Sequence, residues 1–76
     1  LSVHETLNNQ LRRLRFEDGE MTQQDLATHV GVTRQTIIAL ESNKYAPSLL
    51  LALRIARVFD VTVEEVFQYS NGKARQ

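Results

Sequence analysis

The stretch from Gln23 to Glu41, QQDLATHVGVTRQTIIALE, constrains this chain more than any other. It reads as two short helices meeting at a corner. Helices that cross at about 90–120° through a turn of 3–4 residues must approach closely where they touch. The contact needs a small residue, and Ala27 stands there. Four positions later the turn needs a residue that tolerates positive φ, and Gly31 supplies it. The flanking inner positions must be apolar, and Leu26, Val30, Val32, Ile37 and Leu40 all are. Two ordinary helices packed at a corner would need only the apolar positions. Here the small residue, the glycine and a polar outer face on the second helix come together in one stretch.

The rest of the chain has helical apolar spacing, and no alternating stretch persists long enough to predict a strand. A first helix is expected from about Ser2 to Phe16, carrying Val3, Leu7, Leu11 and Leu14 as a stripe and stopping near Asp18-Gly19. Thr22 is a good N-cap for the second helix, with Asp25 placed near the positive end of its dipole, and Gly31 ends it. Thr33 caps the third helix, whose buried side is Ile37 and Leu40. A loop follows over Ser42 to Pro47, with Asn43 suited to a left-handed conformation. Ser48 caps a fourth helix running to about Phe59, and Thr62 caps a brief fifth from Val63 to Tyr69. The expected fold is all-α, five short helices in a single domain over residues 1–76, with a core over about 3–69 and a frayed tail over 70–76.

Composition narrows the function. With 42% hydrophobic residues the chain is ordinary for a globular protein. It has no cysteine, which rules out disulfides and thiolate metal sites and fits a reducing cytosol. No apolar run approaches the ~20 residues that span a bilayer, and no signal-peptide pattern opens the chain. The formal net charge is zero, but its distribution is uneven. Acids gather at Glu17, Asp18, Glu20 and Asp25, and again at Asp60, Glu64 and Glu65. Between Arg34 and Arg57 lie Arg34, Lys44, Arg54 and Arg57 against the single acid Glu41. Such unevenness suits either an ordinary solvated surface or a basic face turned toward nucleic acid.

These residues resemble those of the Xre/Cro-like family of helix-turn-helix regulators, the group that contains lambdoid phage repressors. The likeness is carried by Leu11 to Arg15, Thr22-Gln23, Leu26-Ala27, Gly31-Val32, Arg34 to Ile37, Glu41 to Tyr45, Pro47-Ser48 and Ala52 to Val61. It implies a lambda repressor-like domain with the helix-turn-helix at the second and third helices. It also implies a sequence-specific regulator that binds double-stranded DNA, of bacterial, archaeal or phage origin and cytoplasmic. In such proteins the third helix lies in the major groove with its N-terminal residues on base edges. Arg34, Gln35, Ile38 and Ala39 would then face the bases. Arg grips guanine and Gln grips adenine through paired hydrogen bonds, each worth about 1–3 kcal/mol of discrimination. Thr22, Gln23, Thr33, Thr36, Asn43 and Lys44 would meet phosphates. Arg15 and Glu41 would pair across the first and third helices as a structural link, beside Ala27 and Gly31. The turn Gly19-Glu20-Met21-Thr22 is one residue longer than the usual turn of such relatives.

The fourth helix is apolar nearly all round, with only Arg54 and Arg57 polar between Leu49 and Phe59. Residues 49, 52, 53, 56 and 59 share one face, with Leu50, Leu51, Ile55 and Val58 elsewhere, so the helix is expected to be buried on more than one side. Leu50 and Leu51, with Val63, Phe67 and Tyr69, are then candidates for a homodimer interface, and a dimer fits a repressor on a palindromic operator. A fully intramolecular core is the other account of this apolar helix. A protein-interaction module on the same fold, such as an antitoxin or co-regulator, is the alternative function. An enzyme is not expected. His4 and His29 lack partners at telling spacing, no glycine-rich phosphate loop is present, and Glu64-Glu65 read as first-turn acids of the fifth helix. No cofactor, metal or small-molecule ligand is implied.

Overall fold

The computed structural model describes residues 5–71, so Val3 and His4 and the tail over 72–76 lie outside it. Five helices and a two-stranded ribbon follow in the order β1 (Glu5–Asn9), α1 (Leu11–Glu17), α2 (Gln23–Val30), α3 (Arg34–Glu41), α4 (Leu49–Phe59), α5 (Val63–Val66) and β2 (Phe67–Asn71). The architecture is five short helices with a minor two-stranded ribbon.

Helix starts follow local chemistry. Thr22 and Thr62 both form capping boxes, with Asp25 and Glu65 returning the bond to the cap N–H. Thr33 and Ser48 accept from the N–H groups of Thr36 and Leu51. Each cap satisfies an N–H that the helix itself leaves without a partner. The expected long first helix is corrected: Glu5–Asn9 is a strand, and the helix begins only at Leu11. The reason lies at Asn9. Its Oδ1 accepts from Leu11 N–H at 3.0 Å, while its Nδ2 donates to Leu40 O at 2.8 Å. The side chain thus competes with the helical ladder and ties the chain to the end of α3. β1 pairs antiparallel with β2, Leu7 opposite Tyr69 and Asn9 opposite Phe67. Its burial alternates, with Leu7 half-buried between exposed Thr6 and Asn8. The fifth helix is likewise shorter than expected. It stops at Val66, and Phe67 takes φ −120°, ψ 129° to open β2. Aromatic Phe67 and Tyr69 suit a pleated surface.

The core is one cluster joining all five helices and β2: Leu11, Leu26, Ala27, Val30, Ile37, Leu40, Leu51, Ala52, Ile55, Ala56, Val66 and Phe67. On α4 the buried set cuts across the face shared by residues 49, 52, 53, 56 and 59. Leu51, Ala52, Ile55 and Ala56 are buried, whereas Leu49 is 74% and Leu53 51% exposed. Leu51 and Phe67, expected at a dimer interface, therefore belong to the monomer's own core. Arg54 and Arg57 both fall on the exposed side of α4, and packing decides which of the flanking leucines is buried.

Gly31 closes α2 in the left-handed region at φ 78°, ψ 33°. An added Cβ would meet only Arg54 Nη1, at 3.9 Å, so space is not the constraint. Gly31→Ala is expected to lower stability by about 1–2 kcal/mol through the backbone alone. A urea midpoint equal to that of the parent chain would show that this turn carries a side chain without strain.

Candidate nucleic-acid interface

The α2–α3 corner is held by backbone bonds as well as by packing. Gly31 N–H and Val32 N–H both donate to Ala27 O, at 2.9 and 3.0 Å. Arg54 Nη1 reaches Val30 O at 3.4 Å and covers another carbonyl at the end of α2. Ala27 is fully buried at the contact, so a larger side chain there would prise the two helices apart.

α3 is two-sided. Ile37 and Leu40 are buried, Arg34 and Gln35 are exposed, and Ile38, Ala39 and Thr36 are half-buried. Neither Arg34 nor Lys44 makes an ion pair among the described residues. Thr33 Oγ1 accepts Thr36 N–H as the α3 cap and lies 3.1 Å from Thr36 Oγ1, so the two hydroxyls are bonded to each other. The helix ends in a tight closure. Ser42 Oγ donates to Ile38 O at 3.0 Å, Lys44 N–H donates to Ala39 O at 3.0 Å, and Asn43 adopts φ 60°. Asn9 Nδ2 donates to Asn43 Oδ1 at 2.8 Å, holding the loop against β1. Nothing local in the sequence signals this clamp, because its partners lie over thirty positions apart.

Behind the exposed face, one carboxylate gathers three helices. Arg15 on α1 donates from Nε and Nη2 to the two oxygens of Glu41, at 2.5 and 3.0 Å. Arg15 Nη1 holds Met21 O at 2.8 Å. Gln23, the first residue of α2, donates from Nε2 to Glu41 Oε1 at 3.1 Å. The Arg15 and Glu41 side chains are only 14% and 11% exposed. Glu41 is the last residue of α3, where the helix dipole disfavours an acid, and the forked guanidinium offsets that placement. The α1–α2 turn passes through Gly19 and Glu20, both at positive φ. Gln23 is thus tied to the network behind α3, while Thr22 is committed to the α2 cap.

Among the described residues no group of three His, Cys, Asp or Glu side chains is arranged to hold a metal. No described helix is long and apolar enough to cross a membrane.

Two helices locked at a corner, the second with one buried and one open polar face, define a helix-turn-helix DNA-binding protein. The family model described as helix-turn-helix matches residues 11–66, and the chain belongs to this Xre/Cro-like helix-turn-helix family. An uncharacterized HTH-type transcriptional regulator of Methanocaldococcus jannaschii is 55% identical over 51 residues, 67% of this chain and 77% of that protein. Another, of Archaeoglobus fulgidus, is 46% identical over 65 residues, covering 86% and 91% of the two chains. YgzD of Bacillus subtilis, an uncharacterized HTH-type transcriptional regulator, is 46% identical over 61 residues, 80% of this chain and 91% of that one. A candidate DNA-binding protein of Bacteroides fragilis shares the fold, with a TM-score of 0.70 over 83% of this chain and 100% of that chain at 24% identity. The class is one of transcriptional regulators and not of enzymes.

Proposed function

We propose that this chain reads double-stranded DNA sequence-specifically as a homodimer and represses transcription from a palindromic operator. The supporting observation is the division of α3. Arg34 and Gln35 stand exposed without a partner among the described residues, and Ile37 and Leu40 anchor the opposite side in the core. Arg34 and Gln35 would read base edges, with Ile38 and Ala39 against a thymine methyl. Gln23, Thr22, Thr33, Thr36, Asn43 and Lys44 would meet the backbone of the same half-site. The setting is the cytoplasm of a bacterium or archaeon, or of a phage host, and the activity requires no cofactor.

The dimer reading rests on apolar surface. Leu49, Leu50 and Leu53 are 74%, 58% and 51% exposed on one side of α4. Tyr69 on β2 is 60% exposed, and Val63 is half-buried. Three neighbouring leucines in water are costly, and a two-fold contact through them would remove them from it. Leu50→Glu with Leu53→Glu is expected to leave the fold intact and shift the protein to monomer in sedimentation.

Selection of duplexes from a random library by the purified chain tests the whole reading. An inverted repeat with half-sites about 34–36 Å apart is expected. Arg34→Ala should then lose about five- to hundred-fold discrimination at one base pair, the value of a paired arginine–guanine contact. Selectivity untouched by Arg34→Ala would place the reading face elsewhere. The same leucines also suit a protein-interaction module. Failure to enrich any sequence, with weak binding that ignores salt, would favour that second reading.

A further inference from the structure

Three arginines follow one another on α1 at positions 12, 13 and 15, and their surroundings differ. Arg13 is paired with Glu17 at 3.1 Å and bonded to Gln10, and Arg15 is bound to Glu41 and Met21. The Arg12 side chain has no hydrogen bond or ion pair among the described residues and is exposed. The sequence explains the difference. Arg13 has an acid one helical turn on, whereas the same position after Arg12 is Phe16.

Arg12 faces a cleft of about 540 Å³ that Arg34, Gln23, Gln24, Thr22 and Phe16 also line. The cleft therefore connects α1 directly to the start of α3. Glu20 stands in its wall as the only acid, and Arg15 in its wall is already neutralised by Glu41. Two unpaired guanidinium groups against one carboxylate leave the cleft net positive, although the chain as a whole carries no net charge.

We infer that Arg12 is a DNA-backbone contact, and that this cleft carries the phosphate strand flanking the major groove read by α3. The inference rests on the DNA-reading function proposed above and extends its footprint from α2–α3 to α1. With the N-terminal residues of α3 on bases, α2 crosses the backbone. A strand leaving Arg34 past the first turn of α2 then runs over Arg12. Exposed Phe16, at 67%, supplies an apolar wall for the sugar faces between phosphates.

The test compares Arg12→Ala, Arg12→Lys, Arg13→Ala and Glu20→Gln, each binding a random-sequence duplex of about 20 base pairs across a salt series. Each phosphate neutralised contributes about 0.9 to the log–log salt slope. Arg12→Ala is expected to flatten the slope by that amount and weaken binding about eightfold at 0.1 M salt, with Arg12→Lys restoring most of it. Arg13→Ala should leave the slope unchanged because Arg13 is turned to Glu17 and Gln10 and does not line the cleft. Glu20→Gln should tighten binding. Equal losses for Arg12→Ala and Arg13→Ala would reduce the effect to a general field and overturn the assignment, as would no change for either. Displacement of the duplex from the parent chain but not from Arg12→Ala by a mononucleotide at matched ionic strength would assign the cleft to a free ligand instead. If the parent chain itself shows no salt-dependent DNA binding, the proposed function falls, and this contact with it. An Arg34→Ala that loses selectivity beside an Arg12→Ala without effect would reject the cleft alone.

Discussion

Glu41→Ala is expected to cost this domain about 3 kcal/mol in urea denaturation at neutral pH, at the low end of the range for breaking a buried ion pair because a tenth or so of each side chain still sees water. The loss has three parts. Arg15 keeps only Met21 O of its buried partners, Gln23 loses its acceptor, and α3 loses its tie to α1 and α2. For a chain of 76 residues such a loss lowers Tm by more than about 10 °C. The double replacement Arg15→Met with Glu41→Leu removes both charges and is expected to recover more than half of the loss, because no unpaired charge is left behind. A single Glu41→Ala within about 1 kcal/mol of the parent would mean that the pair behaves as a surface ion pair, and the network would then not organise α3.

Ile37→Ala is expected to cost about the same or more, roughly 2–5 kcal/mol, by a different route. Ile37 is fully buried where α3 meets the core, and truncation leaves a cavity bounded by helices that the corner bonds hold in place. Ile38 provides the comparison. One position on, it is half-buried on the open side, and Ile38→Ala should cost no more than about 1 kcal/mol. The two variants should also divide in DNA selection. The folded fraction of Ile37→Ala should keep the parent's base preferences, whereas Ile38→Ala should alter one of them. Equal stability losses at 37 and 38 would mean that α3 does not turn Ile37 inward and Ile38 outward.

What the residues state locally was legible from them. Thr22, Thr33, Ser48 and Thr62 announce helix starts because a hydroxyl cap needs only the backbone three residues on. Gly31 and Asn43 announce left-handed closures because few side chains tolerate that conformation. The buried face of α3 follows from Ile37 and Leu40 being its only large apolar residues besides Ile38. The cleft beside Arg12 was half legible: the absence of an acid after Arg12 is visible in the chain, but its meeting with Arg34 is not.

The rest depended on pairings across the whole length of the chain. The spacing of Leu7, Leu11 and Leu14 fits one continuous helix, and it fits equally well a strand that turns into a helix with Leu7 still facing inward. The choice is made by Asn9, bonded to the end of α3, and by β2, whose residues lie some sixty positions away and satisfy the backbone groups of β1. The rotation of α4 was undecided for a similar reason. Arg54 and Arg57 mark the outward side of α4, but leucines flank its inner side both ways, and the surface its neighbours offer selects Leu51, Ala52, Ile55 and Ala56. The sequence by itself therefore determined the helix-turn-helix and its caps, since these rest on contacts within a few residues. Tertiary structure alone decided the β1–β2 ribbon and which leucines remain in water, since burial and strand pairing are properties of the assembled chain.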